Sequence, residues 1–172
     1  MNDPIYARFL KQQELDAVTL AASTDRLSLV PVAGKPTTHY LAELRCRGLA
    51  KSPDGRIVEH DLWAFGISFP AGYLRRAVPS PQVLTYLGPH PEPWHPNLKG
   101  PIVCLHLQPG TPLVDLVYSL YELVTWNLYS TSDEGLNHGA AQWARHEPAS
   151  RFPVDRRPLK RPSPAATQEV SR

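Results

Sequence analysis

The sequence predicts an α+β domain, with helices beside an antiparallel sheet. Two stretches, 38–49 and 56–69, alternate apolar and polar residues and are separated by the strong turn signal Pro53-Asp54-Gly55. Asp3-Pro4 opens a segment with apolar residues at helical spacing, and Leu113, Leu116, Val117, Leu120 and Val124 repeat that spacing near the other end.

Taken in order, Asp3 is a good N-cap and Pro4 suits the first helical position, so a helix is expected over about 4–21. Ile5, Tyr6, Phe9 and Leu10 would share its buried face. Residues 26–32 form a first strand, and Gly34-Lys35-Pro36 the turn after it. In 38–49, Tyr40, Ala42, Leu44 and Cys46 point one way while Glu43, Arg45 and Arg47 point the other. That alternation puts Cys46 in the core, where a thiol is usually inert. In 56–69, Trp63, Phe65, Ile67 and Phe69 share a face, and the two strands make a hairpin. A fourth short strand is expected over 82–87, completing a four-stranded antiparallel meander. Eight prolines between residues 69 and 101 otherwise mark loop chemistry. Thr111 can cap a core helix that begins at Pro112 and reaches about residue 128. A short C-terminal helix then carries Ala140, Ala141, Trp143 and Ala144. The domain is thus expected over 1–147. Beyond Pro148 the chain is rich in Pro, Arg and Ser without apolar periodicity, which predicts a flexible basic tail over 148–172.

Hydrophobic content of 42% and charged content of 20% suit a globular protein. The longest apolar runs are too short to span a membrane, and the N-terminus lacks the pattern of a signal peptide. Two cysteines, Cys46 and Cys104, make no disulfide framework, and a reducing cytoplasm suits them. The net charge of +2 divides unevenly: 148–172 carry six basic residues against two acidic ones, leaving −2 on the remainder. The body therefore offers no basic face for nucleic acid.

One loop holds the candidate chemistry. His95-Pro96-Asn97 lies just ahead of Leu98-Lys99-Gly100-Pro101-Ile102-Val103-Cys104, and Pro96 and Pro101 make it a shaped loop and not a regular strand. A cysteine there can be held at a surface beside an amide donor. Sulfur nucleophile and oxyanion donor are two of the parts that acyl transfer through a thioester needs.

His95-Pro96-Asn97, Gly100 and Ile102-Val103-Cys104-Leu105 resemble the active-site signature of ubiquitin-conjugating enzymes. Phe69-Pro70-Ala71-Gly72-Tyr73 and Pro79-Ser80-Pro81-Gln82-Val83 are similar to that family's Phe-Pro-x-x-Tyr-Pro and Pro-Pro-x-Val segments. Gly135-Leu136-Asn137 with Ala140-Ala141 is similar to its Pro-Leu-Asn and Ala-Ala segment. The departures are a shorter spacer before Cys104, Leu74 in place of a proline, His106 in place of an acid, and no Trp-Pro pair before the next helix.

The resemblance implies a UBC-like fold. It also implies an enzyme that takes a ubiquitin-like modifier from an ATP-dependent activating enzyme as a thioester on Cys104, then passes it to a lysine of a protein target, with or without a separate ligase. Asn97 would donate to the oxyanion or hold the loop. His95 would serve loop structure rather than proton transfer. Asp133 and Glu134 would orient the incoming lysine, and Arg8 and Lys11 would help dock the activating enzyme. No cofactor or metal is implied. The compact form resembles the conjugating enzymes of bacterial ubiquitin-like systems, which often serve antiphage defence. Rival readings are a non-catalytic modifier-binding module of the same fold, a zinc hydrolase using His90, His95, His106 and Cys104, and a cysteine hydrolase with a Cys-His-Asp arrangement.

Overall fold

A computed structural model describes residues 3–88, 92–130 and 135–160. Three α-helices and a seven-stranded antiparallel sheet make up the described part, an α+β arrangement. No described helix is long and apolar enough to cross a membrane.

Helix α1 spans Pro4–Ala22, and the Asp3 carboxylate caps it by accepting from the backbone N–H of Ile5 (3.0 Å) and Tyr6 (3.3 Å). Its buried stripe runs through Leu10, Gln13, Ala17 and Leu20, so Ile5, expected on the inner face, is instead 70% exposed. Tyr6 and Phe9 of that face do pack against the core, with the Tyr6 hydroxyl donating to the Phe69 carbonyl.

Strands β1 (Leu27–Gly34), β2 (Thr37–Lys51), β3 (Ile57–Ser68) and β4 (Leu84–Gly88) form the antiparallel meander. The expected alternation holds. Tyr40, Ala42, Leu44 and Cys46 on β2 and Trp63, Phe65 and Ile67 on β3 are all buried in one core with α1. Strand β4 starts two residues later than expected, because Pro79-Ser80-Pro81-Gln82 closes a single 3-10 turn first.

The proline-rich loop contains more strand than its composition suggests. Glu92–Pro93 (β5) pairs with the end of β2. Leu98–Lys99 (β6) and Ile102–Val103 (β7) form a miniature hairpin, joined to β4 through Thr85 and Ile102. Pro101 is tolerated because it sits in the turn, and Gly100 beside it takes φ +54°.

Helix α2, Leu113–Val124, lies across the inner face of the sheet. Thr111 does not cap it: its hydroxyl donates to the Gln108 carbonyl. The orphan N–H of Leu113 is taken instead by the Oε1 of Gln13 at 2.7 Å, a buried amide supplied by α1. The helix also stops earlier than expected. Trp126 adopts φ +61°, Asn127 N–H reaches back to the Glu122 carbonyl (2.9 Å), and Trp126 N–H reaches Leu123 (3.0 Å). This is a Schellman ending with tryptophan where glycine is usual. Helix α3 spans His138–His146 and is capped by Asn137.

The expected flexible tail does not begin at 148. After one 3-10 turn at Ala149–Arg151, residues 152–159 dock along α2 and β2, burying Phe152, Val154, Asp155 and Leu159. Four polar anchors hold the segment: Val154 N–H to Thr125 O (2.8 Å), Tyr121 OH to Arg157 O (2.5 Å), Tyr118 OH to Leu159 O (2.8 Å) and Arg47 N–H to Asp155 (3.0 Å). The last is available because a bulge between Arg45 and Gly48 takes Arg47 out of the β2–β3 ladder. Sparse apolar residues at irregular spacing carry no periodic signal, which is why the docking is invisible to pattern analysis. Residues 161–172 lie outside the described part.

Candidate functional site

The site is built on the hairpin β6–β7 and the turn that precedes it. His95 is 1% exposed, and both ring nitrogens are engaged. Nδ1 accepts the Asn97 N–H at 3.0 Å, so Nε2 carries the proton and donates to the Leu128 carbonyl at 3.0 Å. Burial pushes its pKa down to about 3, so the ring is a neutral strut between the loop and the chain after α2. It rests against Trp126 with ring centroids 4.7 Å apart, and Trp126 in turn stacks on Phe152 at 4.8 Å. The left-handed backbone at Trp126 aims its indole into this aromatic cluster, which accounts for a conformation that costs an ordinary residue roughly 1–2 kcal/mol.

Asn97 holds the cysteine's backbone at two points. Its carbonyl accepts the Cys104 N–H at 2.8 Å, and its Nδ2 donates to the Cys104 carbonyl at 3.1 Å. Turning the amide over would set its oxygen against that carbonyl, so the orientation is determined. Its Oδ1 is buried without a hydrogen-bond partner among the described residues. Asn137 ties α3 to the same turn: its N–H donates to Pro96 O (2.9 Å), its Nδ2 to Leu98 O (3.3 Å), and its Oδ1 accepts from Ala140 N–H (3.2 Å).

Cys104 follows β7 and is exposed, whereas Cys46 is wholly buried. Burial, reinforced by the negative charge of Asp155, pushes the Cys46 thiol up to about 12. The two thiols thus divide as expected into an accessible one and an inert one.

The structure brings His95, Asn97 and Cys104 together. Asp133 and Glu134 lie outside the described residues, as does His90. His106 is exposed two residues past Cys104, its Nε2 2.9 Å from the Gln108 amide nitrogen. Among the described residues no group of three His, Cys, Asp or Glu side chains stands where it could hold a metal. Arg8 and Lys11 are exposed on α1.

No known protein-family profile matches this chain, and no curated protein matches it.

Sequence reasoning gave no role to Ser80. Its hydroxyl is buried beneath the cysteine, donating to the Val103 carbonyl (2.7 Å) and accepting the Leu105 N–H (3.1 Å). The available signal was a lone serine between two prolines, Pro79 and Pro81. Trp126 and Asn137 act through contacts with distant segments, which leave no local mark in the sequence.

Chemically, the arrangement offers an exposed sulfur on a rigid backbone with an amide beside it. His95 offers no proton transfer, because it is neutral, buried and engaged at both nitrogens.

Proposed function

We propose that this protein is a ubiquitin-like-protein conjugating enzyme with a UBC-like fold. Cys104 Sγ attacks the thioester carbonyl of a modifier carried by its activating enzyme. The carrier's sulfur leaves, and the modifier's C-terminus becomes a thioester on Cys104. A lysine amine of the target then attacks that carbonyl through a tetrahedral oxyanion, an amide forms, and the Cys104 sulfur departs. A reducing cytoplasm suits this chemistry, and a bacterial ubiquitin-like system serving antiphage defence is the proposed setting.

The observation that carries the reading is the exposed Cys104 pinned through its own N–H and C=O to Asn97 of the His95-Pro96-Asn97 turn. One Nδ2 hydrogen of Asn97 is committed to the Cys104 carbonyl. The second is the donor assigned to the oxyanion. The neutral His95 strut keeps that turn in place without taking part in proton transfer. The same property weighs against a hydrolase with His95 as its base.

The test combines this protein with an activating enzyme and ubiquitin-like modifier from the same organism, and ATP. A thiol-reducible adduct is expected at Cys104. Cys104→Ser should give a reductant-resistant, slower oxyester or none, and Cys46→Ser should load normally. Asn97→Ala should slow discharge to lysine by about a hundredfold while slowing loading less. Equal loss at both steps would remove the oxyanion role, and normal adduct formation by Cys104→Ala would end the proposal.

A further inference from the structure

Cys104 sits between a two-residue strand and a stretch with no regular structure, where a backbone is ordinarily free to move. Yet both peptide groups flanking it are held at both ends. In the 103–104 peptide, the carbonyl accepts from Ser80 Oγ at 2.7 Å and the N–H donates to Asn97 O at 2.8 Å. In the 104–105 peptide, the carbonyl accepts from Asn97 Nδ2 at 3.1 Å and the N–H donates to Ser80 Oγ at 3.1 Å. Two peptide planes so held fix φ and ψ of the residue between them, and with them the direction of its Cα–Cβ bond. The geometry requires a single small atom that donates and accepts at once, which a hydroxyl supplies and a methyl or an imide does not. Ser80 is itself held: it is 6% exposed, and its one-turn 3-10 helix is closed by Gln82 N–H to Pro79 O and Val83 N–H to Ser80 O, both 2.9 Å.

We propose that Ser80 is a positioning residue of the acyl-transfer site: with Asn97 it clamps the backbone on either side of Cys104, so that the Cα–Cβ bond bearing the sulfur points one way and a thioester there has only the side-chain rotamers left to sample when the amine attacks. This rests on the reading of Cys104 as an acyl carrier. Acyl transfer depends on the angle of approach, and an orientation shared among many backbone states dilutes the reactive one. Alkylation by a small mobile reagent makes no such demand.

The test uses the full chain and three readouts. Hydrogen exchange in the wild-type protein should show the Cys104 and Leu105 amides protected like those of the central strands, although neither belongs to a strand. Ser80→Ala should speed exchange at these two amides on the order of tenfold or more, with Phe65 and Ile67 unchanged. Cys104 is then loaded chemically from a glycine-terminated peptide thioester of mercaptoethanesulfonate, which leaves as the free thiol, and discharged to free lysine, which forms the amide and regenerates the thiol. Ser80→Ala should slow that discharge on the order of tenfold, leave iodoacetamide alkylation of Cys104 within about twofold, and be rescued by Ser80→Thr.

Rapid exchange at both amides in the wild type overturns the clamp, and does so even if Ser80→Ala fails to fold. Unchanged discharge in Ser80→Ala, or discharge and alkylation falling together, overturns the positioning role. Protected amides in a wild-type protein that never transfers the peptide to lysine sink the acyl-carrier reading while leaving the clamp standing.

Discussion

Burial holds the His95 imidazole neutral until about pH 3, and the direction of that shift determines how the loop responds to acid. In the unfolded chain the ring takes up its proton near the ordinary value of about 6.5. Between those values the unfolded state binds a proton that the folded state refuses, so stability falls as pH falls. The contribution is complete above about pH 6.5 and declines by at most about 1.4 kcal/mol per pH unit below it. Glutamine at this position can accept from Asn97 N–H and donate to the Leu128 carbonyl without titrating. Urea unfolding of His95→Gln between pH 4 and 7 should therefore show a shallower loss of stability than wild type; identical slopes would mean that His95 is protonated in the fold. The two cysteines allow a simpler check at the same scale. At pH 8 iodoacetamide should modify Cys104 alone in the native protein and both thiols in urea, since burial keeps Cys46 protonated and out of reach. Mass spectrometry of the labelled peptides reads this directly.

Two elements depend on contacts that their own sequences do not announce. The α2 ending places Trp126 at a position that favours glycine, and packing against His95, Phe152 and Trp143 compensates for the backbone cost. Trp126→Ala should lower unfolding free energy by about 3–5 kcal/mol in urea titrations. The docked segment 152–159 turns on Asp155. A two-toothed contact from Arg157 first, then the N–H groups of Arg47 and Arg157, holds its carboxyl well below the usual carboxylate range. A depressed carboxylate stabilises the fold above its unfolded value of about 3.9, and that stability is lost as pH falls through the lower folded value. Asp155→Asn should therefore cost about 2 kcal/mol at pH 7, and the gap from wild type should close as pH is lowered below 4. A gap that persists unchanged in acid would mean that shape, not charge, holds the segment.

The whole molecule does not end where the periodic pattern ends. Phe152, Val154 and Leu159 each bury an apolar side chain against the body, at roughly 1.5–3 kcal/mol apiece. Their sum is comparable with the ~5–15 kcal/mol that keeps a domain folded. A chain cut after residue 147 should lose its cooperative thermal transition or melt far below the full chain. Calorimetry of the truncation decides this, and melting at the full-length value would restore the boundary at 147. Residue order alone made the meander legible, because a half-buried strand repeats every two residues and every second position from Tyr40 to Cys46 and from Trp63 to Phe69 is apolar. It also marked Cys104 and Asn97, since a cysteine after a proline-framed turn is a local signal. The short strands of the loop leave no such mark, because two-residue ladders are too brief to show a period.

Local residue patterns suffice for the α+β class, the four main strands, the inert burial of Cys46 and the pairing of the His95-Pro96-Asn97 turn with Cys104. The first three are written in a repeat of two or of three to four residues, the last in one short proline-framed loop. The folded chain adds that Gln13 caps α2 from another helix, that residues 152–159 close the fold, and that Ser80 grips the chain on either side of Cys104. Those are hydrogen bonds and contacts between segments far apart in the chain, and no local pattern encodes a partner that distant.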